Sequence, residues 1–137
     1  MIVIDTNVFS ALMAGDHAMD AWLASVSGPD LYTTTITRAE IRYGIARLPN
    51  GHRRRHVEER ADALFDEIRD RTLTFDLAAA DLFAVIVAKR KSLGRPIGAL
   101  DAQIAAVARA HKASVATRNV ADFSECGVAV VNPWSST

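Results

Sequence analysis

Apolar positions along this chain switch repeatedly between short unbroken runs and a spacing of three and four, the mark of strands alternating with helices. Ile2, Val3 and Ile4 form an unbroken run, as expected of a strand covered on both faces. Val8–Met13 predicts a first helix. Met19, Trp22, Leu23 and Val26 fall at i, i+3, i+4 and i+7 and predict a second, ended by Gly28-Pro29. Leu31–Thr35 is rich in β-formers and predicts the next strand. Thr37-Arg38-Ala39-Glu40 has the form of a capping box. It predicts the start of a helix whose inner face is Ile41, Gly44, Ile45 and Leu48, broken at Pro49-Asn50-Gly51.

The second half continues the alternation. Val57, Ala61, Leu64, Phe65 and Ile68 make one apolar stripe with charges elsewhere. Leu73 and Phe75 alternate with threonines as a third strand. Asp76 can cap a helix from about Leu77 to Lys91, stopped by Gly94-Arg95-Pro96. Leu100–His111 is an alanine-rich helix. Ser114–Ala116 and Val128–Val131 are the last strands, separated by a turn or short helix at Asn119–Ser124. No repeat, low-complexity tract or long linker interrupts the series, so one domain over residues 1–137 is expected. Strands alternating with helices imply a three-layer α/β/α sandwich around a mostly parallel sheet. Ligands of such sheets bind beyond the carboxyl ends of the strands, and Asp5 stands at such an end.

Composition narrows the function classes. The chain has 137 residues, half of them apolar, which suffices for a hydrophobic core. Sixteen basic residues balance sixteen acidic ones, so any nucleic-acid chemistry must rest on local sites. Cys126 is the only cysteine; no intrachain disulfide can form, and a cytoplasmic setting fits. The N-terminus lacks a basic leader and carries Asp5 within its apolar stretch. Apolar runs fall far short of the roughly 20 residues of a membrane span, so no membrane association is expected.

Three acids stand out: Asp5 ending the first strand, Glu40 at a helix start and Asp101 opening another helix. Each alone has a structural explanation. Asp5, like Thr6 or Asn7, could cap the following helix, Glu40 completes the capping box, and Asp101 favours the positive end of a helix dipole. If the sheet gathers them, like charges would raise one another's pKa unless a cation neutralised them. Oxygen donors without His or Cys select hard ions, Mg²⁺ or Mn²⁺.

Four segments carry a family resemblance: IVIDTNVFSALM, TTTITRAEIRYGIARLP, GRPIGALDAQIAAVARAHKASVATRNVADF and GVAVVNPW. They resemble successive motifs of PIN domains, closest to the VapC and FitB branch of toxin ribonucleases. Only residues from about Asn50 to Thr72 are nonspecific. The resemblance makes Asp5, Glu40 and Asp101 the metal-binding acids. Where such domains often carry a fourth acid, this chain has Asn119, with Asp122 three residues on. Arg118 becomes a substrate contact or site support. Thr6, Asn7 and Thr117 become residues that orient carboxylates or water, or else plain turn and cap residues. The implied function is a Mg²⁺- or Mn²⁺-dependent endoribonuclease, the toxin of a toxin–antitoxin pair. Its partners would be RNA, a cognate antitoxin and a second copy of itself as a homodimer.

Other features have weaker readings. His52–His56 and Lys89–Lys91 with Arg95 are basic runs that could hold RNA phosphates or be solvated helix ends. His17 and His111 lack a metal-ligand partner at helical spacing. Trp22 and Phe65 fill the core or an interface. Two other function classes compete. A phosphoryl-accepting receiver domain would need an acidic pair after strand one and a lysine on a late strand, and both are missing. A catalytically inactive binding module would use the same fold only to hold a partner.

Overall fold

Five short strands carry the molecule: β1 (Ile2–Ile4), β2 (Leu31–Thr34), β3 (Thr72–Leu73), β4 (Ser114–Ala116) and β5 (Val130–Val131). In the computed structural model, which describes residues 1–135, they lie side by side in the order β3-β2-β1-β4-β5. All pairings are parallel. β1 is central, with Ile2 opposite Leu31 on one side and Ser114 on the other. The chain leaves β1 for β2 on one side and returns to β4 on the other, so the strand order reverses next to β1. That is where open parallel sheets form a crevice beyond their strand ends.

Alternation along the strands sends side chains into two cores. Val3 and Val115 join one core with α5 (Leu77–Ser92) and α6 (Ala99–Ala110). Ile4 and Ala116 join the other with α1 (Thr6–Ala14), α2 (Asp20–Ser25), α3 (Thr35–Ala46) and α4 (His52–Glu67). The helices therefore form a layer on each face, as expected for the sandwich. α6 is the most enclosed helix: Ala102 and Ile104–Ala108 are fully buried. Its alanines carry no bulk, which lets α5 and the sheet approach closely while the helix keeps favourable propensity.

Three elements depart from the pattern. Val26 is extended, and Met19 ends a 3₁₀ turn over His17–Met19, so the second helix shrinks to Asp20–Ser25. Asp16 causes this by capping the turn through the Ala18 N–H at 2.9 Å. Phe75 lies outside β3 and packs edge-on to Phe83, ring centroids 5.9 Å apart. α3 begins at Thr35, two residues before the expected capping box, because the Thr34 hydroxyl accepts the Thr37 N–H at 3.1 Å. Asp76 caps α5 as expected, accepting the Ala79 N–H at 3.0 Å.

Candidate functional site

Asp5 leaves the end of β1 with its side chain buried. It occupies the N-cap position of α1, and one oxygen accepts the Thr6 N–H at 2.8 Å. The other oxygen accepts the Thr117 hydroxyl at 2.7 Å and the Asn7 amide at 3.3 Å. Thr117 follows β4, so that bond closes the crevice between the strands flanking the reversal point. Its hydroxyl also accepts the Asn7 amide at 3.3 Å and the Asn119 N–H at 3.0 Å. Asn7 completes the loop by accepting the Arg118 N–H at 3.2 Å. Thr6, Asn7 and Thr117 thus hold the acids in place.

Glu40 is not the closing residue of a capping box. It sits well inside α3, whose first residue is Thr35, and no terminal N–H calls for it. Its carboxylate instead accepts the Thr6 hydroxyl at 2.8 Å, and the Thr6 hydroxyl stands 3.1 Å from that of buried Thr37. The structural explanation of Glu40 therefore falls away, and a bond across 34 residues of chain ties it to the end of β1.

Asp101 is the third residue of α6. Its carboxyl is pushed up to about 6, first by burial, then by the charges of Asp5, Asp122 and Glu40, against a small opposing effect of Arg90. Asp5 and Glu40 are also raised, chiefly by burial, although their hydroxyl and N–H donors pull the other way. Asp101 thus feels the charges of Asp5, Asp122 and Glu40 together, and the four acids share one field. They do not converge on one point. Among the described residues no three acidic, His or Cys side chains stand at direct metal-ligating spacing. The Asp5 and Glu40 carboxylates are instead engaged by Thr117 and Thr6. None of the ion pairs among the described residues involves Asp5, Glu40, Asp101 or Asp122. Oxygen donors with excess negative charge and no basic partner suit a hard divalent cation, held directly or through water.

A family profile for the PIN domain matches residues 2–127. The chain belongs to the PIN-domain family. It is similar to the VapC ribonuclease Y4jK of Sinorhizobium fredii, 40% identical over 98% of each chain. It is likewise similar to Toxin FitB of Neisseria gonorrhoeae, 39% identical over 98% of this chain and 99% of the relative. A solved structure of FitAB bound to a DNA fragment contains a chain that superposes with a TM-score of 0.92 at 38% identity, covering 100% of this chain and 98% of that one. The PIN domain described here thus lies in the VapC and FitB branch, and a phosphoryl-accepting receiver is excluded.

Asn119 and Asp122 belong to one short turn of this PIN domain. Asn119 is exposed and directs its N–H to Thr117. Asp122 lies in the 3₁₀ turn Val120–Phe123, and its charge reaches both Asp5 and Asp101. Arg90 holds that turn. It is 5% exposed, and its guanidinium donates to the carbonyls of Arg95 at 2.7 Å, Asp122 at 2.8 Å and Ser124 at 3.0 Å. Of the basic run at Lys89–Lys91 with Arg95, Arg90 is buried and Lys89 pairs with Glu125 at 3.4 Å, while Lys91 and Arg95 are exposed. Sequence reasoning missed Arg90, although Ala79, Phe83, Ile86 and Arg90 follow one another at helical spacing on a face that packs inward.

The other basic run opens α4, where Arg54 donates to Leu48 and Asn50 and Arg55 to His52. Arg53 and Arg60 instead line a groove of about 420 Å³ that runs from Thr6 and Glu40 along Ile41 and Ile45. Among the described residues no helix is long and apolar enough to cross a membrane. His17 bonds Asp20 at 3.0 Å on the surface. Phe65 is buried against Phe9, and Trp22 packs on the same core.

Proposed function

We propose that this PIN domain is a divalent-metal-dependent endoribonuclease acting in the cytoplasm as the toxin of a toxin–antitoxin pair. The observation that carries the reading is the gathering of Asp5, Glu40, Asp101 and Asp122 in one field without a basic partner among the described residues. Asp5, Glu40 and Asp101 would hold Mg²⁺ or Mn²⁺, with Asp122 or the Asn119 amide oxygen completing the set. When bound, such an ion polarises the RNA phosphodiester and acidifies a water into a nucleophile. The chain's own contribution is orientation: Thr117 and Asn7 fix Asp5, Thr6 fixes Glu40, and Arg90 fixes the turn bearing Asp122. Arg118, at the crevice mouth, meets a phosphate of the RNA.

A chain similar to this one is part of FitAB bound to a DNA fragment, which supports a cognate antitoxin for this chain as well. The groove starting at Glu40 suits a segment of that antitoxin, whose arginine would reach the unpaired acids and pair with them bidentately. The toxin would act as a homodimer. The test is cleavage of single-stranded RNA by the purified chain. Cutting is expected with Mn²⁺ or Mg²⁺, lost in EDTA and lost in Asp5→Asn; undiminished cutting in EDTA refutes the mechanism. Co-expression with the neighbouring gene should give a stable complex inactive on RNA.

A further inference from the structure

Trp134 lies beyond the acids and their hydrogen-bond partners, yet it contacts Arg118, the residue that follows Thr117. The Trp134 N–H donates to the Asn132 side chain at 2.9 Å, and the ring packs on the α1–α4 core. Its indole N–H donates to Asp16 at 3.4 Å, and Asp16 is itself fixed by the Ala18 N–H on its other oxygen. On the face of this anchored ring lies the guanidinium of Arg118, 4.1 Å from the ring centroid. The Arg118 backbone is tied at the same time to Asn7, one bond away from Asp5. Arg118 is exposed and has no ion-pair partner among the described residues. A long side chain on a surface ordinarily samples many rotamers; here both its root and its tip are held, near enough to Asp16 for the two charges to attract, and no described residue accepts a hydrogen bond from its guanidinium.

We propose that Trp134 is a positioning residue for Arg118: the indole, anchored through Asp16, holds the guanidinium over its ring, where it receives a phosphate of single-stranded RNA whose path continues to the acids. Stacking leaves the in-plane N–H donors directed outward, which is the geometry that pairs with phosphate oxygens. The proposal rests on the ribonuclease reading above, and the experiment separates the two.

Cleavage of a fluorescein-labelled single-stranded RNA in Mn²⁺ is measured for the parent, Arg118→Ala, Trp134→Leu, Trp134→Phe and the Arg118→Ala/Trp134→Leu double variant. Arg118→Ala should raise KM about tenfold with kcat within twofold. Trp134→Leu should reproduce most of that rise, and Trp134→Phe, which keeps an aromatic face, should stay within about twofold of the parent. The double variant should be no worse than Arg118→Ala alone, because both remove one contact. The slope of log affinity against log salt should become shallower by about 0.7 in Arg118→Ala and in Trp134→Leu, the value of one phosphate on a single strand. A merely structural tryptophan would lower kcat or melting temperature and leave KM and salt slope alone, which overturns the proposal. So does a KM rise for Trp134→Leu that persists in the Arg118→Ala background. A parent that neither binds nor cuts the RNA instead overturns the ribonuclease reading, and the clamp's substrate role with it.

Discussion

Replacing Asp101 by Asn separates the electrostatics of the acidic site from its shape, since the amide keeps the size of the carboxyl and removes its charge. The Asp101 carboxyl is raised from its ordinary 3.8 to about 6. At 1.36 kcal/mol per tenfold in proton affinity, that is about 3 kcal/mol of strain on the ionised form at pH 7 before screening. The side chain is partly exposed, so solvent reduces this to roughly half. Loss of a negative charge from the first turn of α6 takes back about 0.5 kcal/mol of dipole stabilisation. Metal-free Asp101→Asn should therefore be about 1 kcal/mol more stable than the parent at pH 7, about 3–5 °C in melting temperature for a chain of this size. The sign reverses the usual carboxylate case. Folding raises this pKa, so the folded parent binds the proton more tightly and gains stability as pH falls from 7 through 6 toward 4. Asp101→Asn lacks that gain, and the two melting curves should draw together near pH 4–5. Circular-dichroism melts in EDTA at pH 7 and pH 5 provide the assay. Added Mn²⁺ should then raise the melting temperature of the parent but not that of the variant. A variant no more stable than the parent at pH 7, with parallel pH profiles, would show that folding does not strain the ionised Asp101 carboxylate.

Three further outcomes follow from the same geometry. Arg90→Met strips hydrogen bonds from the carbonyls of Arg95, Asp122 and Ser124 and should cost about 2–4 kcal/mol in urea unfolding, with Arg90→Lys recovering only part because an ammonium lacks the fork. Thr117→Val removes the hydroxyl that lowers the Asp5 pKa, so the acid limb of the cleavage profile should move to higher pH, alongside a loss of about 1–3 kcal/mol in stability. Asn119→Asp adds a carboxylate beside Thr117 and should tighten Mn²⁺ binding severalfold in calorimetry; unchanged affinity would place residue 119 outside the metal's reach.

The alternation of apolar runs with helical stripes was enough to predict the layered parallel sheet, because strand and helix periods are local properties of the chain. It also placed Asp5 at a strand end. Element ends were less legible: whether Thr34 or Thr37 caps α3 depends on which hydroxyl the backbone presents to the first free N–H, and that choice moved Glu40 from a cap into a helix interior. Charge told least by itself. Lys89, Arg90 and Lys91 read alike as a basic run, yet the rotation of α5 on its core buries only Arg90 and turns it toward the carbonyls of a distant turn. The field joining Asp5, Glu40, Asp101 and Asp122, and the stacking of Arg118 on Trp134, bring together residues from both ends of the chain. No spacing encodes those distances; they exist only once the sheet has set β1 beside β4 and folded the helices over it.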